Sequence, residues 1–478
     1  MKSIMFAALL LAAIVDAHAN GLRPFQDSTL ARADDVNHNF GYLDDRIDEI
    51  VSRIESPEVT EVVNCDSNPD ALQQAIEKAR GLNSLLSISA SGNCNRINVA
   101  NQQVSISNGG NLTINNSGGS DAAAPTVTVR EAGVLAIYGY PLINGGANTA
   151  ISIYGQSYFV GAYLQISGGV TGILASWSNF ILLGNVSFNN TINAMVLNSS
   201  TGLFLGKLST GNVYTCDGSV EGPPACLTIT KPSSFSTAFS LNNSRLALGS
   251  ENTQIIISAN EASMANHSSL DLRNGSLVLS EEFKIEGSSI ITATGTAGET
   301  LSLTSDIQLT ENSVVNLDYD NTDDPNGRGN FEINGNIEVN LGSVLNVNGS
   351  SENGQSKVLF KENLTVLAGK AVLTDTKMQL GSQDVPAEIN VIGGQLIMDG
   401  LTFDKLPSPS NAGAGARDIN VLQSGTLTLI HVNDSDPTPS CSDIEGRVAM
   451  SLDGKTYYLP FENVDADPHD YGDFCNSP

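Results

Sequence analysis

The side chains best placed to contact a ligand lie in residues 132–206, a run of 75 positions without Asp, Glu, Lys, Arg or His. It carries Tyr138, Tyr140, Tyr154, Tyr158, Phe159, Tyr163, Trp177 and Phe180. Aromatic faces stack on sugar rings, so Tyr138, Tyr140, Tyr154, Tyr158, Tyr163 and Trp177 are candidates for a glycan-binding platform. The competing assignment is that these rings fill corners or face a partner subunit, because an uncharged surface suits the core of an obligate interface. Acid–base catalysis inside this run would fall to tyrosine, whose ordinary pKa of about 10 is poorly matched to neutral pH.

Outside the run the chemistry is sparse. The N-x-D, D-D and G-H-G pattern of polygalacturonase-type enzymes is absent, and His38, His267, His431 and His469 are not set beside Ser or Cys in a nucleophile motif. Glu281 and Glu282 are a carboxylate pair, but adjacent residues on a strand point to opposite faces, so a solvated edge is expected. Asp318, Asp320 and Asp324, with Asn326 and Gly327, put hard oxygens on one short segment, and calcium is the ion such a turn would take. The segment lacks the glycine at the sixth position and the distal Glu of an EF-hand loop, and Asp/Asn-rich loops are common in acidic exported chains.

The six cysteines cluster in sequence as Cys65 with Cys94, Cys216 with Cys226, and Cys441 with Cys475. In an exported chain they suggest three disulfides with those neighbours as partners. Export is indicated by residues 1–19: Lys2, an apolar run from Ile4 to Val15, and Ala17-His18-Ala19 as a small-x-small cleavage site. That run is too short to span a bilayer and no later stretch is apolar enough, so a secreted or cell-surface protein without a membrane span is expected. The net charge of −28 and pI of about 4.3 argue against nucleic acid or anionic lipid as partners.

Several elements must hold these side chains. Val36, Phe40, Leu43, Ile47, Ile50 and Ile54 follow a heptad seam within a helix over residues 30–56. With Ile at both seam positions a homotrimeric coiled coil is expected, and the alternative is an amphipathic helix packed on its own domain. Residues 57–85 follow as a capping segment. There Asn68 can cap a helix, Pro69 suits its first position, and Ala71, Leu72, Ala75, Ile76 and Ala79 make one apolar stripe. Beyond it come repeats. LSLTSDIQLTENSVVNLD (301–318), FEINGNIEVNLGSVLNVN (331–348) and VLFKENLTVLAGKAVLTD (358–375) align without a gap. Leu301/Leu303, Ile307/Leu309 and Val315/Leu317 are matched in the second copy by Phe331/Ile333, Ile337/Val339 and Leu345/Val347. The third gives Val358/Phe360, Leu364/Val366 and Val372 with Thr374. Such in-out-in triplets are short strands with one buried face, stable only when stacked on their neighbours. The fold class is therefore all-β, a right-handed parallel β-helix (solenoid) over residues 86–430.

The run Asp70-Ala71-Leu72-Gln73-Gln74-Ala75-Ile76 resembles the D-x-x-A-L-Q-x-A-I-type helix that precedes the first coil in the pectate-lyase-like β-helix superfamily, without the two-residue spacer after Asp. The resemblance implies the fold over about residues 64–430 and brings no catalytic residue with it. Residues 441–478 form a last piece, in which Asp453-Gly454 turns a hairpin between residues 446–452 and 455–459. Framed by Cys441 and Cys475, it resembles small terminal modules of fibre-like secreted proteins, although their closing Trp is missing. The expectation is a secreted, non-enzymatic structural, adhesive or polysaccharide-binding protein. The alternative is a polysaccharide lyase or glycoside hydrolase.

Overall fold

Alternation of buried and half-exposed residues dictates the local structure. In Ile337–Asn340, Ile337 and Val339 are buried while Glu338 and Asn340 are not, the period-2 pattern of a strand with one covered face. The computed structural model describes residues 58–78, 85–117, 123–205, 226–230, 236–249, 254–273, 275–296, 300–320, 330–349, 356–380, 387–403, 417–422, 425–430, 433–434, 448–452, 455–459 and 475–476. Among them the chain is nearly all parallel β-sheet with one helix. Two units are distinguished, Met1–Cys226 and Leu227–Pro478. The leader and heptad segment, with Cys216, Asp324 and Cys441, lie outside the described residues.

In the N-terminal unit each short strand pairs in parallel with its counterpart in the next repeat, giving three ladders. The first runs through Glu58–Asn64, Leu85–Cys94, Gln103–Asn115, Val134–Tyr138, Tyr158–Ala162, Asn179–Leu183 and Thr201–Leu205. The second joins the end of Gln103–Asn115 to Leu142–Gly146, Gln165–Gly168 and Val186–Asn189. The third is Ile97–Ala100, Val127–Arg130, Thr149–Tyr154, Thr171–Ser176 and Asn193–Asn198. Leu135, Ile137, Phe159, Phe180, Leu182 and Phe204 are core residues of the first ladder, each buried. The triplets Val104/Ile106, Leu112/Ile114, Val127/Val129, Ile151/Ile153 and Leu164/Ile166 are buried as their spacing predicts.

Helix α1 (Ala71–Lys78) closes one edge of the third ladder. Leu72, Ala75 and Ile76 are its buried stripe, and the Asn68 side-chain oxygen accepts the Asp70 N–H at 3.2 Å. Ile97–Ala100 is the first strand of that ladder, so its outer backbone groups need a substitute partner. Gln73 supplies it: its Oε1 accepts the Asn98 N–H at 2.7 Å and its Nε2 donates to the Asn98 carbonyl at 3.5 Å. Gln102 Nε2 donates to the Ile76 carbonyl at 3.2 Å, satisfying a group at the helix end. Cys65 and Cys94 form the expected disulfide, with Cα atoms 4.9 Å apart.

The C-terminal unit repeats the arrangement. Leu301 and Leu303 pair with Phe331 and Ile333, Ile307 and Leu309 with Ile337 and Val339, and Val315 and Leu317 with Leu345 and Val347. The third copy departs from the gapless alignment. Leu345 and Val347 meet Ala371 and Leu373, which are buried, not Val372 and Thr374. The physical reason is a shorter corner. Glu311 and Asn312, and then Leu341 and Gly342, are paired left-handed residues, whereas Ala368 is followed directly by Gly369. A Cβ at Gly369 would meet the Val339 carbonyl oxygen at 2.7 Å, so this corner admits only glycine.

A column of buried serines stands just after the left-handed residue of successive corners. The N–H groups of Ser244, Ser268, Ser289 and Ser313 donate to the hydroxyls of Ser268, Ser289, Ser313 and Ser343, at 3.1–3.3 Å. Ser268 and Ser289 in turn donate to the carbonyls of Ala265 and Glu286 at 2.6 Å. An Asp/Asn column stands in another corner: Asn336 Nδ2 donates to Asp306 Oδ1 at 3.1 Å, the Asn363 N–H donates to Asn336 Oδ1 at 3.3 Å, and Asn363 Oδ1 accepts the Glu388 N–H at 2.8 Å. The terminal hairpin is present, with Val448 opposite Leu459 and Leu452 opposite Lys455. Its first strand, Val448–Leu452, also pairs in parallel with Arg417–Leu422 and so extends a ladder.

Candidate functional site

The first ladder of the N-terminal unit departs from simple alternation where the charge-free run begins. In VLAIY, YFVGA and NFILL apolar residues occupy both faces of the strand. Opposite the core, Ala136 pairs with Val160, Val160 with Ile181 and Ile181 with Leu203. Tyr138, Ala162, Leu183 and Leu205 make a parallel row. Ala136, Val160, Ala162, Ile181 and Leu183 are only 1–8% exposed, and Tyr138, Tyr158, Tyr163, Leu203 and Leu205 pack against them. This second apolar layer is legible in the sequence as lost alternation, the mark of a strand buried on both faces. Reading the aromatics alone missed it.

The six candidate aromatics are therefore not one platform. Tyr138 and Tyr158 belong to the apolar layer. The Tyr138 hydroxyl is buried without a hydrogen-bond partner, and burial pushes its pKa up to about 12. Such a phenol holds its proton at neutral pH and is unsuited to acid–base work. Tyr140 and Tyr163 follow the first-ladder strands, both with left-handed backbone, and their rings lie 5.0 Å apart at 35°. The next residue in that column is Gly184, whose added Cβ would meet the Tyr163 ring at 2.5 Å. Glycine there makes room for the ring.

Tyr154 and Trp177 lie at the other edge, on the corner leading from the third ladder to the first. Tyr154 pairs with Ser176, the residue before Trp177. Trp177 is 71% exposed and Tyr154 42% exposed. Trp177 also has a left-handed backbone (φ 49°), in a column with Gln156 and Ser199. A bulky residue in that region is disfavoured, and the backbone bonds of the column are made by Gln156 as well: Gln156 N–H donates to the Trp177 carbonyl at 2.8 Å. Packing does not require an indole here.

The remaining candidates do not assemble. Asp318 sits on Val314–Asp320 opposite Asn348, Asp324 is outside the described residues, and no group of three or more His, Cys, Asp or Glu that could hold a metal occurs among the described residues. Glu281 and Glu282 take separate partners, Asn260 at 3.0 Å and Lys284 at 2.6 Å. Cys226 and Cys475 lie on strands Cys226–Thr230 and Cys475–Asn476. No helix among the described residues is long and apolar enough to cross a membrane. Comparison with protein-family models, curated proteins and solved structures finds no match.

Proposed function

We propose that this chain is an exported, non-catalytic right-handed parallel β-helix whose three ladders are the walls of a stacked coil, and that it binds extracellular polysaccharide through the Tyr154–Trp177 corner. The single observation that carries this reading is Trp177: a strongly exposed indole on disfavoured backbone, beside a second exposed ring. Two rings on consecutive rungs, about 4.8 Å apart at the backbone, can contact neighbouring sugar faces. Residues 132–206 carry no ionisable side chain, but Arg130 and Glu131 stand on the rung before Tyr154 in the same corner, paired with each other, so product analysis is what separates binding from hydrolysis or elimination.

A glycan array followed by product analysis tests this. We expect at least one polysaccharide to bind the mature chain, Trp177→Ala to weaken it about tenfold, or about 1.4 kcal/mol, and the ligand to be recovered uncleaved. Shortened or unsaturated products would overturn the non-catalytic reading. Undiminished binding by Trp177→Ala would remove the corner.

A further inference from the structure

The corner that carries Trp177 has a shape as well as an exposed ring. Val127–Arg130, Thr149–Tyr154 and Thr171–Ser176 are successive strands of the third ladder, with Val129 opposite Ile153 and Tyr154 opposite Ser176. The first residues beyond them are Glu131, Gly155 and Trp177, one to each rung. All three have left-handed backbone, at φ 56°, 70° and 49°, so side chains leave the outer two rungs in a common direction. Glu131 and Trp177 are exposed, and the glycine between them has no side chain. Left-handed backbone alone does not explain that glycine, because its two neighbours in the column adopt it with side chains. A Cβ at Gly155 would meet the Glu131 N at 3.3 Å and the Glu131 Cα at 3.9 Å, and beyond its chain neighbours nothing else within 4 Å. The space over Gly155 is therefore open. Two rungs span about 9.6 Å, so Glu131 and Trp177 are the walls of a notch whose floor is Gly155. Tyr154 and Gln156, both exposed, flank it in the chain.

The two walls differ in chemistry. Trp177 offers an apolar face. On the other side, Arg130 Nε donates to Asn98 Oδ1 at 3.2 Å and Arg130 Nη1 donates to Glu131 Oε1, which holds the guanidinium in place. Those bonds use two of its five N–H groups and leave three without a partner among the described residues. The pair thus presents donors and acceptors side by side with no net charge. The geometry points to an occupant: we propose that the Gly155 notch holds one uncharged pyranose unit of a neutral polysaccharide, with a ring face on Trp177 and two adjacent hydroxyls on Glu131 and Arg130. This names the ligand class for the glycan reading of the corner and rests on that reading. A hydroxyl both donates and accepts, so a vicinal pair gives one hydrogen bond to the carboxylate and takes another from the guanidinium. A uronate unit is disfavoured twice. Its carboxylate competes with Glu131 for Arg130, the one cation on the described strands of the third ladder, and it approaches a chain of net charge −28.

The test is isothermal titration of the full mature chain at low salt, where charge discriminates most. Cello-, manno- and xylo-oligosaccharides are the neutral probes, and oligogalacturonate and oligoalginate the acidic ones. A neutral probe should bind at least tenfold more tightly than either acidic one. Gly155→Asn fills the notch while keeping left-handed backbone, which Asn tolerates, and should weaken the neutral probe at least tenfold. Because that side chain must also clear the Glu131 backbone, Glu131→Gln, at an exposed position, is the second arm. It frees Arg130 for a uronate and should cut the preference for neutral over acidic probes at least fivefold. Tighter binding of an acidic probe by the wild type, lost in Arg130→Gln, would overturn the neutral class and leave the glycan reading of the corner standing. Binding that falls in Trp177→Ala but is unchanged in Gly155→Asn and Glu131→Gln would overturn the notch alone. Equal binding by the wild type and Trp177→Ala would reject the corner itself, and binding of none of the probes would count against both readings.

Discussion

Tyr138 shows how one atom records its surroundings. Its ring belongs to an apolar layer, and its hydroxyl has no partner. Removing an unpaired buried hydroxyl relieves a desolvation cost, so Tyr138→Phe should stabilise the N-terminal unit by about 1 kcal/mol at neutral pH. The alkaline side follows from the raised pKa of about 12. The unfolded chain ionises this phenol near its ordinary value of about 10, so the folded state is the one that retains the proton. The stability tied to this group is present in full below that value and is lost as pH rises from about 10 through about 12, by about 2–3 kcal/mol in all. Thermal melts from pH 8 to 12 check both points: Tyr138→Phe should melt higher at pH 8 and fall less steeply above pH 10.

At the scale of the element, the serine column shows what regular corners add to regular strands. Ser289 accepts the Ser268 N–H at 3.3 Å and donates to the Glu286 carbonyl at 2.6 Å, in a fully buried site. Ser289→Ala leaves a buried N–H and a carbonyl without that partner and should cost about 1–3 kcal/mol, read as a lower denaturation midpoint with unchanged slope. Ser302→Ala, at a half-exposed strand position, is expected to change the midpoint by less than about 0.5 kcal/mol. The strands themselves were legible because alternation such as Leu301/Leu303 with Ile307/Leu309 has one physical cause, a face in and a face out. The serine column was not, because serine is common in turns for several reasons, and only stacking shows which hydroxyls meet an N–H. The shift to Ala371 and Leu373 was hidden for a related cause: an ungapped alignment cannot see one residue missing from a corner. Of the candidate site, the run without charge was plain in the sequence. Its division between two edges and a buried layer was not, since Tyr138 and Tyr154 look alike until each is placed on a strand face.

Over the whole molecule, a charge of −28 must be carried by surfaces outside residues 132–206. Self-repulsion of that size opposes association between copies and favours solubility. Stability of the N-terminal unit is reinforced by a covalent link: Cys65 and Cys94 are 29 residues apart. Replacing both with Ala should lower its stability by about 3–4 kcal/mol in the chain-entropy account. Non-reducing peptide mapping should recover Cys65 joined to Cys94, and denaturant titration with and without reductant should show a larger loss in the wild type than in the double variant.

The short corner at Ala368-Gly369 has a consequence for how the chain finds its pairing. Residues 301–318 and 331–348 share strand lengths and corner length, so on pattern alone either could be taken for the other during folding. Joined to 358–375, either copy could set its second strand against Leu364 and would then slip by one residue at the short corner, as 331–348 does to meet Ala371 and Leu373. For 301–318 that slip puts Ser313 over Gly369, and its N–H, which donates to the Ser343 hydroxyl, finds no hydroxyl there. The serine left out of the short corner thus works as a key cut into an otherwise repetitive chain, telling one rung from the next.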